Sequence, residues 1–599
     1  MDLPSDNAAL QAHYGQRLAS LQLEQGVVIK RRIRHRIFLL VCSALVLFLG
    51  LQTSGRTAWL AAVPLVAFIA SLPAYLGLQT ELIRIQRLQV FHDTNLARAD
   101  GTRTQSGHTG DEFHSPEHLY DRDLNVLGPD SLFGLLATVR TGIGQRGLAR
   151  ILLDPAEPQQ ILERQQCIQE LAPLTSLREQ IALLGPSRFQ DVSAIAFDSW
   201  LDEPSPEFHP AISWALVAIS LTVVFSLLAG LTHFATWSTV FAILAAAFAI
   251  QGIIFFTVRA RTLPILKASR VANQMQLFAD GVALLEQQRF NSPRLQQLQQ
   301  ALREPASALS ALRRIQNQFN VVEQLTREYS ALLSLLFSIG THAAIAIANW
   351  KRRHASSLKH WMTAWGEFEA LCALANYAFE HPEDVYPILL PQQQPGQLHA
   401  TALGHPLIPS QSCVRNDVAL DAHTRFYLIS GSNMAGKSTL LRAIGLNAVL
   451  AFAGAPVRAT SLSLTPLRIG ASLALTDSLA ESKSKFLAEV QRLHAILTLS
   501  KHSPTLFLID ELFSGTNSHD RVIAAQAVLR DLLHNHAIGA LSTHDLALTP
   551  LASPQSNGVN VHMASPDPED PLAFDFLLKP GVNPSSNALA IIRMMNIEA

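Results

Sequence analysis

Three long apolar stretches of the sequence contain no Asp, Glu, Lys or Arg, and they restrict what the chain can fold into. They are residues 37–55, 57–80 and 208–258, and the last is 51 residues long. A helix needs about 20 mainly apolar residues to cross a bilayer. The first two stretches allow one crossing each, with a turn near Arg56, and the third allows two, with a turn near residues 230–235. The sequence thus predicts two transmembrane hairpins and four spans; helices buried in a soluble core are the alternative.

Basic residues flank these stretches and predict their orientation. They are Lys30, Arg31, Arg32, Arg34, Arg36, Arg84, Arg87, Arg259, Arg261 and Lys267. Because positive flanks stay inside, we expect both termini and the segment between the hairpins in the cytoplasm, with the chain integral to a bacterial plasma membrane. A nucleic-acid patch is the alternative for residues 30–36. Residues 329–350 form another uncharged run, which is interpreted as a buried core helix and not as a fifth span, because a span there would remove the C-terminal half from the cytoplasm.

The composition gives no sign of a general affinity for nucleic acid. Charged residues make up 16% of the chain and hydrophobic residues 48%, with a net charge of −1. A net charge this close to zero provides no overall basic field, although a local basic groove is compatible with it. The four cysteines have no metal-ligand spacing and are expected to be small apolar side chains in a reducing compartment.

A glycine-bearing loop predicts a nucleotide site. Gly431-Ser-Asn-Met-Ala-Gly-Lys-Ser-Thr439 matches the Gly-x4-Gly-Lys-Ser pattern, between a predicted strand (residues 426–430) and a predicted helix (residues 440–453). In such loops backbone N–H groups hold the phosphates, while Lys437 would reach the β- and γ-phosphates and Ser438 would bind Mg²⁺. The predicted ATP-binding residues are Gly431, Ser432, Asn433, Met434, Ala435, Gly436, Lys437, Ser438 and Thr439.

A second segment supplies carboxylates. Apolar residues 506–509 predict a strand that ends in Asp510 and Glu511. Asp510 is predicted to hold Mg²⁺ with Ser438, and Glu511 to orient or deprotonate the attacking water. His544 ends another predicted strand and could sense the γ-phosphate, so Glu511, His544 and Lys437 are the candidate catalytic residues. A solvated turn for the acids and a structural role for the histidine are the alternatives.

Small polar residues follow the acid pair. Gly515-Thr-Asn-Ser-His-Asp520 precedes a helix that we expect to begin near Arg521. In dimeric ATPases the start of such a helix can meet the γ-phosphate held by the other subunit. The candidate trans signature consists of Thr516, Asn517, Ser518 and Asp520.

The order and the residues of these motifs resemble those of the MutS family of DNA mismatch-repair ATPases, which belong with the ATP-binding-cassette ATPases. Those proteins have Gly-Pro-Asn-Met-Gly-Gly-Lys-Ser-Thr where this chain has residues 431–439. Other similar segments are Asp130–Leu136, Thr141–Arg146, Ile161–Arg164, Trp365–Leu371, Gly404–Pro406, Asn416-Asp417, Arg468–Ser472, Ser484–Phe486 with Glu489, Leu508–Leu512 and Thr543-His544. The resemblance covers about residues 120–200 and 260–599. It implies Mg²⁺-dependent ATP hydrolysis, a homodimer through the ATPase domains, and DNA binding.

The chain also departs from the family pattern. MutS proteins that recognise mismatches begin with a domain carrying a Phe-x-Glu wedge and then a connector, and the first 120 residues leave no room for either. Asn517 stands where the family has a serine, so it would serve as the donor in the composite site. Ser412-Cys-Val-Arg415 stands where the family often has an adenine-stacking aromatic residue. We expect a membrane-tethered MutS-like ATPase without the mismatch-reading parts.

Together these patterns predict a multidomain chain. A C-terminal α/β P-loop ATPase domain of MutS type is expected to follow an all-α core and lever domain that carries the two hairpins. The predicted boundaries are a cytoplasmic tail (1–36), a hairpin (37–80), a linker (81–118), a first helical core segment (119–207), the second hairpin (208–258), a helical lever and core segment (259–395) and the ATPase domain (396–599).

The expected function is ATP hydrolysis in a dimeric composite site, coupled to movement of the helical levers and linked to DNA. The alternatives are a transporter-like ATPase of the ATP-binding-cassette type and a nucleotide-gated membrane scaffold, neither acting on DNA. No Leu-Ser-Gly-Gly-Gln signature precedes Asp510, and the spans lack the charged residues that a path for charged substrates needs. Glu511 argues against a scaffold that hardly hydrolyses ATP.

Overall fold

The computed structural model describes most of the chain in two compact units. The described residues are 4–52, 59–99, 108–154, 156–185, 200, 202–266, 269–304, 307–325, 337–392, 395–432, 434–473, 485–513, 518–567, 570 and 573–583. One unit comprises residues up to Thr138, Leu148–Leu183 and Leu371–Ala599; the other comprises Val139–Gly147 and Leu184–Ala370.

Helices make up most of the chain before residue 381. They are α1 (Asn7–Gln52), α2 (Ala62–Ala99), α3 (Leu132–Leu136), α4 (Gly142–Leu153), α5 (Pro158–Leu171), α6 (Thr175–Ala182), α7 (Pro210–Leu231), α8 (Trp237–Leu266), α9 (Ser269–Gln287), α10 (Pro293–Ala301), α11 (Ala308–Leu325) and α12 (Ile339–Glu380). The polar N-terminal segment belongs to the same helix as the first apolar stretch. Similarly, α2 continues to Ala99, so half of the predicted linker is helical.

Four helices among the described residues are long and apolar enough to cross a membrane, as judged by length and composition. They lie within Asn7–Gln52, Trp59–Arg98, Pro210–Leu231 and Trp237–Val258, and at most 17% of each apolar window is buried. Phe38, Leu47 and Phe256 are among the large apolar side chains they expose. Residues 337–350 of the uncharged run 329–350, by contrast, contain a row of buried side chains that includes Ile347 and Trp350.

The helices α1 and α2 form an antiparallel pair that is packed at its polar end. Leu21 and Val28 of α1 form a buried cluster with Leu82, Ile85 and Leu88 of α2. These residues recur at three- to seven-residue spacing, which places them on one face of each helix. The fully buried residues of this cluster lie outside the uncharged stretches, whereas many apolar side chains farther along both helices remain exposed.

Two of the family-like segments meet where α4 crosses α12. The carboxylate of Glu369 accepts hydrogen bonds from Arg140 N, Thr141 N and Thr141 Oγ1 at the start of α4. A Cβ atom on Gly147 would lie 2.1 Å from the carbonyl oxygen of Gly366. The backbones therefore touch, and glycine is required because any side chain would separate the helices.

The C-terminal part contains two sheets. Their strands are β1 (Ile388–Leu389), β2 (Leu398–Leu403), β3 (Asn416–Leu420), β4 (Phe426–Ser430), β5 (Ser461–Leu464), β6 (Arg468–Ser472), β7 (Thr505–Asp510), β8 (Ile538–Thr543), β9 (Gly558–His562) and β10 (Lys579–Pro580). The smaller sheet has the order β1-β5-β2-β3 and the larger β10-β9-β4-β8-β7-β6. In the larger sheet every neighbouring pair from β9 to β6 is parallel, so the carboxyl ends of β4, β8 and β7 share one edge.

Helices cover this parallel sheet, as buried parallel strands require. They are α13 (Lys437–Ala453), α14 (Lys485–His502) and α15 (Ser518–His534). One face packs into a cluster that includes Phe507, Leu493 and Leu529. The C-terminal part is thus α/β, whereas the described chain before residue 381 is helical, as the sequence predicted.

A segment before α3 is attached to the α/β part. Asp123 Oδ1 accepts a hydrogen bond from Leu473 N (2.7 Å), and its other carboxylate oxygen pairs with Arg492. The Asp123 carbonyl accepts from Arg442 Nε of α13 (3.0 Å). The side chain of Leu124 fits against Gly445, where a Cβ atom would lie 2.6 Å from it. One short segment thus joins α13, α14 and the end of β6.

Buried ionic side chains join the ends of α2 and α12. Arg98 Nη2 lies 2.9 Å from Glu380 Oε2, and both side chains are almost inaccessible to solvent. Asn376 donates to the other oxygen of Glu380 at 2.9 Å. A second ion pair joins Asp384 to Arg458, at 3.5 Å. The buried Arg98–Glu380 pair therefore anchors the C-terminal end of α2 to the end of α12, beside the α/β part.

Candidate nucleotide site

The predicted phosphate loop connects β4 to α13. Gly431 has φ +149°, and a Cβ atom there would lie 2.3 Å from the carbonyl oxygen of Met563. Gly436, immediately before α13, has φ +96°. Both positions therefore require glycine, because L-residues rarely adopt such φ values. The turn leads directly into the first N–H groups of α13, which have no partners within their own helix.

Lys437 lies across the loop that precedes it. Its Nζ donates to the carbonyl oxygens of Gly431 and Ser432, each at 2.8 Å. Burial lowers the pKa of Lys437, and the nearby Asp510 and Glu511 carboxylates act in the opposite direction. These contacts place its ammonium group at the start of α13, where the helix dipole also favours anions.

Asp510 is held between two hydroxyl groups. Ser438 Oγ donates to one carboxylate oxygen and Ser542 Oγ to the other. Ser438 comes from α13, whereas Asp510 and Ser542 are paired neighbours at the ends of β7 and β8. The predicted Ser438–Asp510 pair is therefore brought together by the parallel sheet. Ser542 has no predicted role in the sequence, although it lies two residues before His544.

Glu511 turns away from the strand that Asp510 ends. Its φ is +50°, and its backbone N–H donates to Ser542 O at 3.2 Å. His544 Nδ1 lies 3.1 Å from Glu511 Oε1. The Glu511 side chain is 28% exposed and that of His544 is 50% exposed, so water can reach both groups. This geometry joins a carboxylate and an imidazole at the edge next to the loop.

The segment after Glu511 is supported by buried polar contacts. Phe513, with φ +55°, donates its backbone N–H to the buried carboxylate of Glu489. Its carbonyl accepts from Arg521 Nε at 3.2 Å, and Arg521 also pairs with Asp545 at 3.4 Å. These contacts fix the backbone on the C-terminal side of the acid pair. Glu489 was noted in the sequence only through the family resemblance.

The other predicted site residues lie around this edge. Met434 and Thr439 are exposed and Ala435 is buried. Ser432 Oγ is buried without a hydrogen-bond partner in the described part of the chain. The helix α15 begins at Ser518, three residues before the predicted start, and Asp520 is in its first turn. Predictions for three further residues fall outside the described ranges: Asn433, Thr516 and Asn517.

A C-terminal segment that sequence reasoning did not assign lies against the loop. Met563 N donates to Ser430 O, and Asn583 N donates to Ser430 Oγ, both at 3.0 Å. A Cβ atom on Gly436 would meet the ring of Phe576 at 3.0 Å. Asn416 holds this segment by donating to Phe576 O at 3.1 Å and accepting from Leu578 N at 2.7 Å. No local pattern marks Phe576, because the contact joins residues 140 positions apart.

The Gly404–Pro406 motif packs against the other side of α13. Asn447 of α13 donates to Gly404 O at 2.8 Å, and Gly404 N donates to Arg458 O at 2.8 Å. His405 is buried, and its Nδ1 accepts from Leu407 N at 3.2 Å. Burial lowers the pKa of His405 to about 4, with Arg442 and Arg458 acting in the same direction. This histidine is therefore neutral at pH 7 and has a packing role.

The oxygen atoms at this edge suit a magnesium–nucleotide complex. Among the described residues, no group of three His, Cys, Asp or Glu side chains could hold a metal ion. Mg²⁺ usually takes only one or two protein oxygens and completes its shell with substrate phosphate and water. The Ser438 hydroxyl and the Asp510 carboxylate are such a pair, so the donor set fits the ion.

The sheet, the loop and the acidic edge together define an α/β domain with one parallel sheet and a strand–loop–helix site at its carboxyl edge. Residues 427–599 match the family model of MutS domain V. This match confirms, for that segment, the resemblance to MutS proteins seen in its motifs. Domain V is the ATPase domain of MutS proteins.

Proposed function

We propose that this protein is a membrane-anchored, Mg²⁺-dependent ATPase of MutS type. The observation that carries the proposal is the Asp510 carboxylate, held by Ser438 of the loop helix and by Ser542 of the neighbouring strand. Lys437 lies at the same edge. A loop, a cation and a carboxylate at one sheet edge are the parts that triphosphate hydrolysis requires. The match to domain V supports the same assignment.

Each residue has a role in this proposal. Mg²⁺ held by Ser438 and Asp510 would offset the charge of the β- and γ-phosphates. Lys437 would exchange its loop carbonyls for phosphate oxygens. Glu511 would accept a proton from the attacking water, whose oxygen bonds to the γ-phosphorus as the bond to the β-phosphate oxygen breaks. His544 orients Glu511 through the contact at 3.1 Å.

Glu511→Gln tests the catalytic assignment. We expect ATP turnover to fall by about 100-fold or more, the usual effect of losing a general base, while ATP binding is retained. The measurement is phosphate release by full-length protein in detergent, alongside nucleotide binding. Glu383→Gln, at an exposed position, is the matched control and should change neither. Unchanged turnover in Glu511→Gln would show that the assignment is wrong.

The same variant tests the proposed homodimer. Because Glu511→Gln would bind ATP but hydrolyse it slowly, the protein should accumulate in the oligomeric state that bound ATP stabilises. We expect its mass in solution to double on adding Mg²⁺ and ATP, as the first turn of α15 meets the γ-phosphate of the other subunit. A monomer at saturating ATP would contradict the composite site.

We also propose Phe576 as a platform for the adenine ring. It is 44% exposed and lies beside Gly436. Stacking of a base on an aromatic ring contributes about 1–3 kcal/mol. Phe576→Ala should therefore raise KM for ATP roughly fivefold or more. Phe576→Tyr retains an aromatic ring and should keep KM near that of the unaltered protein. Leu577→Ala, at an equally exposed neighbour, is the control. An unchanged KM in Phe576→Ala would exclude this role.

Linkage to DNA is proposed from the family alone. The near-neutral charge provides no overall basic surface, so the effect of DNA has to be measured directly. ATP turnover of the full-length protein should change when duplex, branched or single-stranded DNA is added at low salt. A rate that ignores all three would favour the membrane scaffold ATPase, our second candidate, which the four apolar helices support.

Membrane anchoring is the last part of the proposal. Large apolar side chains such as Trp214, Phe225 and Phe256 are exposed on helices of spanning length. Exposed apolar surface on this scale is unfavourable in water but not in lipid. Protein expressed in bacterial cells should stay in the membrane fraction after carbonate extraction. Release into the supernatant would contradict the anchoring.

A further inference from the structure

A dense group of cations surrounds one short section of α1. Lys30, Arg31, Arg34 and Arg36 are exposed. None of them forms an ion pair with a carboxylate in the described part of the chain. Residues 25–52 contain no Asp or Glu at all. The positive charge of this section is therefore not balanced within its own helix.

These cations directly precede the exposed apolar section of α1, which begins at Ile37. Ile37, Phe38 and Leu40, which follow directly, are about half exposed. The helix continues without a break through both sections. At 1.5 Å per residue, the section from Lys30 to Arg36 extends about 9 Å along the helix axis, similar to the headgroup layer of a bilayer.

The second helix of the pair adds to the same charge. Arg84 of α2 is exposed. The hydrophobic cluster of Val28 and Leu82 joins the two helices at this level. Arg32 lies against the Tyr75 ring of α2, 5.9 Å from its centre. The packing of the two antiparallel helices therefore fixes the backbone positions from which five exposed cations extend. We call this group the basic collar: Lys30, Arg31, Arg34, Arg36 and Arg84.

We propose that the basic collar binds the headgroups of anionic phospholipids. The proposal rests on the membrane anchoring proposed above. Lysine and arginine beside a spanning helix attract anionic lipid, and guanidinium groups match phosphate oxygens in two-point contacts. At 100° per residue, Lys30 and Arg34 share one side of α1, whereas Arg36 points to another. Cations spread around a helix suit separate headgroups better than the continuous phosphate row of a nucleic acid.

The test measures which lipids remain with the protein. Full-length protein is reconstituted in vesicles of equimolar phosphatidylcholine and phosphatidylglycerol, extracted with mild detergent and purified. The retained lipids are then quantified. We expect the retained phosphatidylglycerol to exceed the retained phosphatidylcholine about fivefold or more, roughly the effect of one basic residue near a charged surface. This enrichment should be smaller at high salt, because salt screens the charges. Lys30→Gln, Arg31→Gln and Arg34→Gln combined should abolish the enrichment.

A matched variant separates this effect from a general loss of charge. Arg150→Gln, Arg313→Gln and Arg530→Gln remove three other exposed cations and should retain the enrichment. Lipids retained in the added ratio by the unaltered protein would overturn the proposal. So would equal enrichment in the collar variant. If the collar variant instead loses binding to duplex DNA and keeps its lipid enrichment, the collar is a nucleic-acid site.

Failure of the anchoring can be distinguished from failure of the collar. Carbonate extraction of the collar variant and the unaltered protein reports on anchoring alone. Extraction of both into the supernatant overturns the anchoring and the collar together. Retention of both in the membrane without lipid enrichment overturns only the collar.

Discussion

At the scale of single residues, His405 links the stability of the α/β part to pH. Its pKa is about 4 in the folded protein, against about 6.5 in an unfolded chain. Between these values the unfolded chain binds a proton that the folded protein does not. The free energy of unfolding should therefore fall by roughly 3 kcal/mol as the pH is lowered from 6.5 to 4, with no contribution from this group above that window.

His405→Asn provides the comparison. An Asn side-chain oxygen can accept from the backbone N–H two residues on, as His405 accepts from Leu407 N, but it does not titrate. Unfolding by urea at pH 7, 6 and 5 should show a weaker dependence on pH in the variant. His381, whose pKa burial also lowers to about 4, should maintain part of the dependence in both proteins. Equal slopes would contradict the assignment to His405.

Several candidate site residues could be proposed from local patterns, but their partners could not. Ser438 and Asp510 each stand in a recognisable motif at the end of a helix or strand. Ser542 and Phe576 carry no such signal, because their positions depend on strand register and on a segment that returns from the C-terminus. The chemistry of a site can therefore be proposed from the sequence where its motif is local, whereas contacts that only tertiary structure creates cannot.

At the scale of elements, the crossing of α4 and α12 depends on glycine. Alanine in place of Gly147 would put its Cβ atom 2.1 Å from Gly366 O. A helix gains up to about 1 kcal/mol from such a replacement, but backbone overlap forces the helices apart at a cost of about 1–3 kcal/mol or more. We expect Gly147→Ala to lower the melting temperature of the detergent-solubilised protein.

Gly15→Ala is the matched control for this crossing. No atom lies within 4 Å of the position its Cβ would take, so it should leave the melting temperature unchanged or raise it. A Gly147→Ala protein at least as stable as the unaltered one would mean that the helices do not approach this closely.

Helix boundaries show how far periodicity could predict the elements. The turn between α7 and α8 falls at residues 232–236, close to the turn expected near residues 230–235 within the long uncharged stretch. The beginning of α15 was expected three residues too late, because the small polar residues before Arg521 also suit a first helical turn. The extension of α2 to Ala99 was missed, since its polar half is held by packing against α1.

At the scale of the molecule, the Arg98–Glu380 pair ties the first hairpin to the α/β part. Burial raises the pKa of Glu380, so its charge depends on Arg98. Removing one partner of a buried pair costs about 3–5 kcal/mol. Arg98→Met should therefore lower the unfolding midpoint, and Glu380→Gln in the same chain should restore much of it. Arg150→Met, whose pair with Asp154 is exposed, should have little effect.

An equal shift in Arg98→Met and Arg150→Met would contradict a buried anchor. The association itself could not be predicted from the sequence. Arg98 and Glu380 are separated by most of the helical region, and neither lies in a motif. Residues 139–147 belong to one unit and residues 148–183 to the other. This division likewise depends on contacts between residues that are far apart in the sequence.

The unbroken length of α1 has a geometric consequence. It contains 46 residues, and at 1.5 Å per residue it is about 69 Å long. Its first turns pack through Leu10 and Tyr14 against Phe379, at the end of the helix that leads into the α/β part. A tilt of about 5° at that contact would displace the far tip by about 6 Å. A small change of angle at that contact would therefore be magnified along α1 into a movement of its tip as large as a helix radius.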